Sequence, residues 1–320
     1  MKAVRIAKYG GPEVLTVEDI PAPTPARDEV IVAVHATSVN PVDWLVRDGG
    51  ATSFVKVKFP VILGCDLAGE IAEVGANVTR FKVGDPVFAM MPHDWGAHAE
   101  KVALDQSLVA AKPAKLSMVE AAALPTVAIT ALAGLRKKAA VRAGEHVLIN
   151  GASSSVGMCA VQIAKVLGAG KITGVCGAGA ADLVRELGAT DVIDYKTTDF
   201  TKGSTRYDVI FDCVGNHPYG DCKGVLEGRR VHITTHPRVK TFLRMFANPL
   251  FGMKVYGLIT TGEGSELAYL ASLVESGQLR PIVDKVYPLD QVAAAQEYSK
   301  TGRARGKIVL EVGEPEHRTG

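Results

Sequence analysis

The residues most able to do chemistry lie in VLINGASSSVGMCAVQIAKVLGA, Val147 to Ala169. An apolar run leads into Gly151, Ala152, Ser153, Ser154, Ser155, Val156 and Gly157, and an amphipathic stretch follows. A dinucleotide pyrophosphate needs this pattern: backbone N–H groups at a helix start face the anion, and small residues let it approach. The usual fingerprint has glycine in the middle of the turn, where this chain has Ser154. A serine there requires an ordinary backbone conformation, because positive φ is costly with a Cβ. Its hydroxyl is expected to face the phosphates. About 20 residues on, where NAD sites place an acidic ribose ligand, stand Cys176 and Gly177. With no carboxylate at Gly177 nothing repels a 2′-phosphate, which favours NADP. A positive partner for that phosphate must then come from elsewhere, with Lys196 beside Tyr195, Arg303 and Arg305 as candidates.

The elements that position these residues come in two textures. The first hundred residues read as short strands, among them Lys2–Lys8, Val30–Thr37, Leu67–Val74 and Pro86–Met90, separated by Gly10-Gly11-Pro12 and Gly84-Asp85-Pro86 turns. That spacing predicts a small β barrel or sandwich. From Ser117 onward strands alternate with helices. His146–Asn150, Ile172–Cys176, Val192–Tyr195, Asp208–Cys213, Arg230–Thr235 and Lys254–Thr260 are strands, and Val156–Leu167 and Ala180–Leu187 are helices. Alternation of this kind implies a doubly wound parallel sheet. The end of the chain returns to a strand, a helix (Gln291–Ser299) and a strand (Lys307–Val312). The α/β chain thus divides into a β domain (1–118), a Rossmann domain (119–280) and a C-terminal return to the first (281–320).

Bulk composition excludes several classes. The 320 residues carry 47% apolar and 22% charged side chains, ordinary for a globular protein, and a net charge of +2, which gives nucleic acid no electrostatic case. The beginning, MKAVRIAKYGG, lacks a secretory pattern. The apolar stretch Val119–Leu135 is too short to cross a bilayer, contains Pro125, and reads as a buried helix. Five cysteines with no C-x-x-C pair argue for a reducing compartment, hence a cytoplasmic protein, or an organellar one whose transit peptide has been removed. The histidines, His93, His98, His146, His217, His232 and His236, show no metal spacing, and only His236, after a strand end, is near an expected cofactor path.

Five stretches together resemble one family: SVNPVDW (Ser38–Trp44), LGCDLAGEIAEVG (Leu63–Gly75), FKVGDPVFA (Phe81–Ala89), AAALPTVAITAL (Ala121–Leu132) and ARGKIVL (Ala304–Leu310). They are similar to the medium-chain dehydrogenase/reductase superfamily, in its zinc-free quinone oxidoreductase (ζ-crystallin-like) branch. VCGAGAADLVRELGATDVIDYK and ARGK are most similar to reticulon-interacting mitochondrial oxidoreductases and chloroplast-envelope quinone oxidoreductase homologues. The resemblance implies a GroES-like domain with a Rossmann insertion, a cleft between them for the nicotinamide, and NADPH as hydride donor. It implies that Asn40 and Thr130 lie near the nicotinamide, that Ser153 to Val156 hold the pyrophosphate, and that Tyr195 packs near the adenosine phosphate. Arg305 matches a cofactor-contacting arginine, and Val214, Gly215, Leu258, Ile259 and Thr260 border the cofactor from its other side.

The zinc branch holds its catalytic metal with two cysteines, a histidine and often a glutamate; the corresponding residues here are Asn40, Cys65, Thr126 and Asp66. One thiol and one carboxylate do not make that site, so no metal is expected. Without a Lewis acid, alcohol oxidation is disfavoured, and hydride addition to a quinone or to the activated C=C of an enone or alkenal fits better. The tyrosine some relatives use as proton donor is replaced by Leu45. Asp43 is the nearest ionisable candidate, with capping of the helix after Pro41 as its other reading. Trp44 and Phe54 are either the floor of an aromatic substrate pocket or ordinary core. Val239–Tyr256, apolar and basic, is a flap, a membrane-surface contact or, the preferred reading, a helix packed on the sheet. Two further functions stay open: an NADPH-binding redox sensor or structural protein with little turnover, and an enoyl-thioester reductase. The apolar edge strand Lys254–Thr261 predicts a homodimer, since relatives join subunits there.

Overall fold

The computed structural model describes residues 1–50, 57–92, 95–237, 241, 244–245, 254–258 and 260–313. The chain forms two compact units: Met1–Thr126, Thr261–Gly277 and Pro281–Gly320 make the first, and Val127–Thr260 with Gln278–Arg280 the second.

The first unit holds two sheets. In the smaller, β1 (Lys2–Ile6) lies between β2 (Thr16–Asp19) and β4 (Val61–Ile62). The larger is built on β3 (Glu29–Val39), which pairs antiparallel with β5 (Asp66–Val74), β7 (Lys101–Asp105) and the late strand β16 (Lys307–Glu311). Beyond these lie β6 (Pro86–Met90), β8 (Val109–Ala111) and, parallel to β16, β15 (Val283–Pro288). Alternating apolar residues of β3 and β5, including Val30, Val32, Val34, Leu67 and Ile71, are buried together with Val87, Val102 and Leu104. Each such side chain contributes about 1.5–3 kcal/mol on burial. Helix α1 (Pro41–Arg47) follows β3 directly, and α2 (Met118–Ala122) opens with a capping box of Ser117 and Glu120. Helix α3 (Pro125–Leu132) carries the chain from one unit into the next.

The second unit is the expected parallel sheet. Its strands are β9 (His146–Asn150), β10 (Lys171–Cys176), β11 (Asp191–Asp194), β12 (Tyr207–Asp212), β13 (Leu226–Thr234) and β14 (Lys254–Gly257). They stand in the order 11-10-9-12-13-14, all parallel. The order reverses between β9 and β12, the switch point at which open α/β sheets bind ligands beyond the strands' carboxyl ends. Helices α4 (Ser155–Val166), α5 (Ala181–Glu186) and α6 (Tyr219–Cys222) connect them. Leu148, Val175, Tyr207, Ile210 and Val225 form one side of the core.

Three differences from the sequence reading are physical. Strand β13 starts four residues earlier than Arg230, and a register irregularity with positive φ at Gly228 and Arg230 absorbs the extra length. The stretch Val119–Leu135 is not one helix: it divides between α2 and α3, with Pro125 opening the second. Helix α7 (Gly264–Glu275), assigned by sequence to the Rossmann domain, belongs to the first unit. A Cβ on Gly264 would lie 2.5 Å from the Ser107 carbonyl and 2.6 Å from that of Val109, so the helix start is seated on β8. Helix α8 (Val292–Lys300) then leads to β16. Of the Val239–Tyr256 stretch, most of 239–253 lies outside the described residues. Among the described residues no helix is long and apolar enough to cross a membrane.

Candidate active site

In the second unit the glycine-poor turn joins β9 to α4. Gly151 has φ +79°, a conformation that favours glycine, and a Cβ there would meet Val214 Cγ2 at 2.7 Å. Ser154 has φ −75° and ψ 161°, the unstrained backbone expected of a residue with a Cβ. Its hydroxyl does something other than expected. The oxygen accepts the Gly157 N–H at 3.1 Å, so Ser154 is the N-cap of α4 and its lone pair serves the helix rather than facing a phosphate. Gly157 is buried against the turn: a Cβ would lie 2.1 Å from the Gly151 carbonyl oxygen and 2.8 Å from Ala152 Cα. This is the close helix–strand approach that the last glycine of a dinucleotide fingerprint permits. Ser153, Ser155 and Val156 are half-buried around the same turn.

Two further groups of expected residues come together in this unit. Gly177, at the end of β10, lies beside Tyr195, whose ring carbon would be 3.6 Å and hydroxyl 3.8 Å from a Cβ on that glycine. Tyr195 is 61% exposed, which leaves its face open to a ligand. Thr130 of α3 and Thr260 approach to 3.2 Å between their hydroxyls, and Leu258 is buried nearby, within 3.1 Å of a Cβ on Gly134. Ile259 lies outside the described residues, as do Phe54 and His93. Lys196 is exposed beside Tyr195. His236 is exposed and packs against Gly215: a Cβ on Gly215 would sit 2.5 Å from His236 Cβ.

Sequence reasoning overlooked the group that builds the Val214–Gly215 turn. Asp212, buried at the end of β12, accepts the Val214 N–H at 3.0 Å, the Gly215 N–H at 2.9 Å and Asn150 Nδ2 at 2.8 Å through one oxygen, Oδ1. The signal was present: an aspartate just before a turn, followed by a glycine with φ +77°, is an Asx-type turn.

The first unit contains a buried polar set. Asn40 closes β3, and Asp66 opens β5. Asp66 Oδ2 accepts from Ser38 Oγ at 2.5 Å and from Asn40 Nδ2 at 2.9 Å. Its Oδ1 accepts both the N–H and the hydroxyl of Thr126, at 2.8 and 2.6 Å. Lys307 Nζ is 3.3 Å from Asp66 Oδ2 and donates to Asn40 Oδ1. Asp43 Oδ2 takes the Asn40 N–H at 2.7 Å and Oδ1 the Gly64 N–H at 3.2 Å. Asp43 therefore ties the start of α1 in place, its capping reading, and burial raises its pKa. Burial also pushes the Cys65 thiol well up, with Asp43 and Asp66 adding to the rise. Lys307 was quoted in ARGKIVL but given no role. Its charge at the head of the apolar run Ile308–Leu310 was the available signal. Trp44 donates its indole N–H to Ser299 Oγ at 3.3 Å and lies under the Lys300 ammonium, so its ring packs α1 on α8. Arg305 and Arg303 are exposed in the turn before β16.

A zinc ion does not fit the Asn40, Cys65, Asp66 and Thr126 set. Asp66 is committed to five donors, one an ammonium that repels a cation. Burial, with Asp43 and Asp66 beside it, disfavours the Cys65 thiolate that a zinc ligand must be. A dinucleotide does fit the second unit, where the Gly151–Gly157 turn and the open face at Gly177 and Tyr195 stand at one end of the sheet.

Two stretches of the chain match known families. Residues 26–114 match the alcohol dehydrogenase GroES-like domain, and 187–310 match the family described as zinc-binding dehydrogenase. The chloroplast envelope quinone oxidoreductase homolog of Arabidopsis thaliana is 33% identical over 324 residues, covering 97% of this chain and 98% of that protein. The 2-methylene-furan-3-one reductase of Solanum lycopersicum is 34% identical over 97% of this chain and 79% of its own length. The quinone oxidoreductase of Escherichia coli, solved in complex with NADPH, superposes with a TM-score of 0.82 at 27% identity, over 97% of this chain and all of that one. The chain belongs to the medium-chain dehydrogenase/reductase superfamily and is similar there to the quinone oxidoreductases.

Proposed function

We propose that the protein is an NADPH-dependent reductase of quinones and of the activated C=C bonds of enones and alkenals, working without a catalytic metal. The observation that carries this reading is the β9–α4 turn, with its close Gly157–Gly151 approach, at the point where the parallel sheet reverses order. The relatives, a quinone oxidoreductase homolog and a 2-methylene-furan-3-one reductase, suggest the acceptor class.

In this reading the pyrophosphate lies against the backbone of Gly151, Ser153, Ser154, Ser155, Val156 and Gly157, at the positive end of the α4 dipole. Gly177 leaves room for a 2′-phosphate, Tyr195 packs on the adenosine side, and Arg305 or Lys196 supplies positive charge. Asp212 holds Val214 and Gly215 as one border of the cofactor, with Thr130, Leu258, Ile259 and Thr260 as the other. Asn40 is assigned to the nicotinamide by its place in the family's SVNPVDW-type motif. Bound NADPH supplies the hydride; quinones and enones are already electrophilic and need no Lewis acid. Asp43, with both oxygens engaged and fully buried, is not assigned the proton, which water supplies.

The last strand of the sheet, β14, is proposed to join two copies into a homodimer. Five buried cysteines, none of them in a disulfide, suit a reducing compartment, the cytoplasm or an organelle interior.

Fluorescence titration with NADPH and NADH, then a panel of quinones, alkenals and enoyl-CoAs followed by nicotinamide absorbance, tests the proposal. Tighter NADPH binding and turnover of a quinone or enone are expected. Stoichiometric binding with no acceptor consumed would make it a cofactor-binding protein instead, and equal or tighter NADH binding would overturn the cofactor assignment.

A further inference from the structure

In the second unit, α6 and the strands β12, β13 and β14 border a cleft of about 240 Å³. Asp212, Gly215 and His236 line it and also build or border the expected cofactor path, whereas Tyr219, His232 and Arg244 line it and do not. His232, on β13, is 2% exposed, yet no described group reaches its Nδ1. The other ring nitrogen fixes the tautomer. Nε2 lies 3.0 Å from the His217 carbonyl oxygen, which can only accept, so Nε2 carries the proton. Burial lowers the pKa of the ring, which is therefore neutral near pH 7 and holds a lone pair at Nδ1. A buried acceptor without a donor is uncommon and costly. Tyr219 links this acceptor to a cation. Its ring centre is 6.2 Å from that of His232, edge to face, and 5.7 Å from the Arg244 guanidinium carbon. Arg244 forms no ion pair with a described residue. The Asp212 carboxylate already holds three N–H donors on Oδ1, and Asp221, also on the cleft, is exposed to water, so neither calls for a cation. Both disfavour an anion that brings no donor of its own.

We propose that this cleft binds a small aromatic hydroxy acid, with its carboxylate on the Arg244 guanidinium, its ring along Tyr219 and its hydroxyl donating to His232 Nδ1. A guanidinium matches a carboxylate with paired N–H donors. A neutral hydroxyl satisfies the imidazole lone pair without burying a second charge. A flat ring keeps the two polar ends apart and packs favourably on a tyrosine. Enclosed walls with a few convergent polar groups are the usual form of a small-molecule site. The ligand leaves as it came, with no bond made or broken, and the site stands whether or not the protein is a reductase.

The test uses the full chain, with and without saturating NADPH. Calorimetric titration with 4-hydroxybenzoate is compared with benzoate and phenol, each of which lacks one end. One 4-hydroxybenzoate per chain is expected to bind, and benzoate and phenol each about 10- to 100-fold more weakly. Arg244→Gln should weaken 4-hydroxybenzoate by a similar factor and leave phenol unchanged. A second measurement needs no variant. In protein labelled with ¹⁵N-histidine, His232 Nδ1 should give the signal of an unprotonated nitrogen, which shifts with 4-hydroxybenzoate and stays in place with benzoate. No binding at millimolar 4-hydroxybenzoate, equal affinity for benzoate, wild-type affinity in Arg244→Gln, or a protonated Nδ1 in the free protein overturns the proposal. So does release of 4-hydroxybenzoate by NADPH, which would make the cleft part of the cofactor site.

Discussion

Gly157 runs so close to Gly151 that a Cβ on Gly157 would stand 2.1 Å from the Gly151 carbonyl oxygen. Backbone, not a movable side chain, is in the way, so the first turn of α4 must shift to admit even a methyl group. Gly157→Ala is therefore expected to cost about 1–3 kcal/mol, a fall in melting temperature of roughly 2–5 °C in a chain of this size. NADPH affinity should fall with it, because the displaced helix start carries the pyrophosphate. Melting and cofactor titration of the same preparation check both, and an unshifted melting curve would contradict the packing described.

Ser154 makes a different prediction because its side chain caps α4. Ser154→Ala should lose about 1 kcal/mol from the missing cap. Ser154→Leu should lose the same and also crowd the turn, weakening NADPH about 10- to 100-fold, the equivalent of 1–3 kcal/mol of overpacking. Near-normal NADPH affinity in the leucine variant would mean that the pyrophosphate sits elsewhere.

Metal removal should change nothing. Dialysis against a strong chelator is expected to leave kcat and the melting temperature at their starting values, because Lys307, not a metal, is the cation beside Asp66. Loss of turnover that added zinc restores would sink this.

The β14 edge predicts the assembly. Among the described residues, strand β14 is the last of the six-stranded sheet, next to β13, and a strand at the end of a sheet is a template for another strand. A dimeric mass in light scattering at micromolar protein is expected. A monomeric wild type would count against the shared sheet.

By itself, the sequence determined what is local. The switch from strand to helix period between Asn150 and Ser155, the small residues of the turn, and Gly177 in place of an acid are all readable within one βαβ stretch. They placed β9, α4 and β10 to within a residue or so of their observed ends. Ser154 showed the limit even there: its need for an ordinary φ was legible, but the partner of its hydroxyl was not, since a serine before a helix can cap the helix or bind an anion.

Tertiary structure alone decided what spans distance. Asn40 and Asp66 are 26 positions apart, and Lys307 is 267 from Asn40. Nothing in the periodicity of β3, β5 or β16 says that their ends converge. The antiparallel pairing of β16 with β3 does so, bringing Ile308 opposite Val39 and thus Lys307 to Asn40. Helix α7 joined the first unit for the same kind of reason, because the fit of Gly264 against two carbonyls of an earlier segment outweighed its place in the chain. Local pattern selects an element's type, whereas its partners are chosen by burial and hydrogen bonding summed over the whole chain.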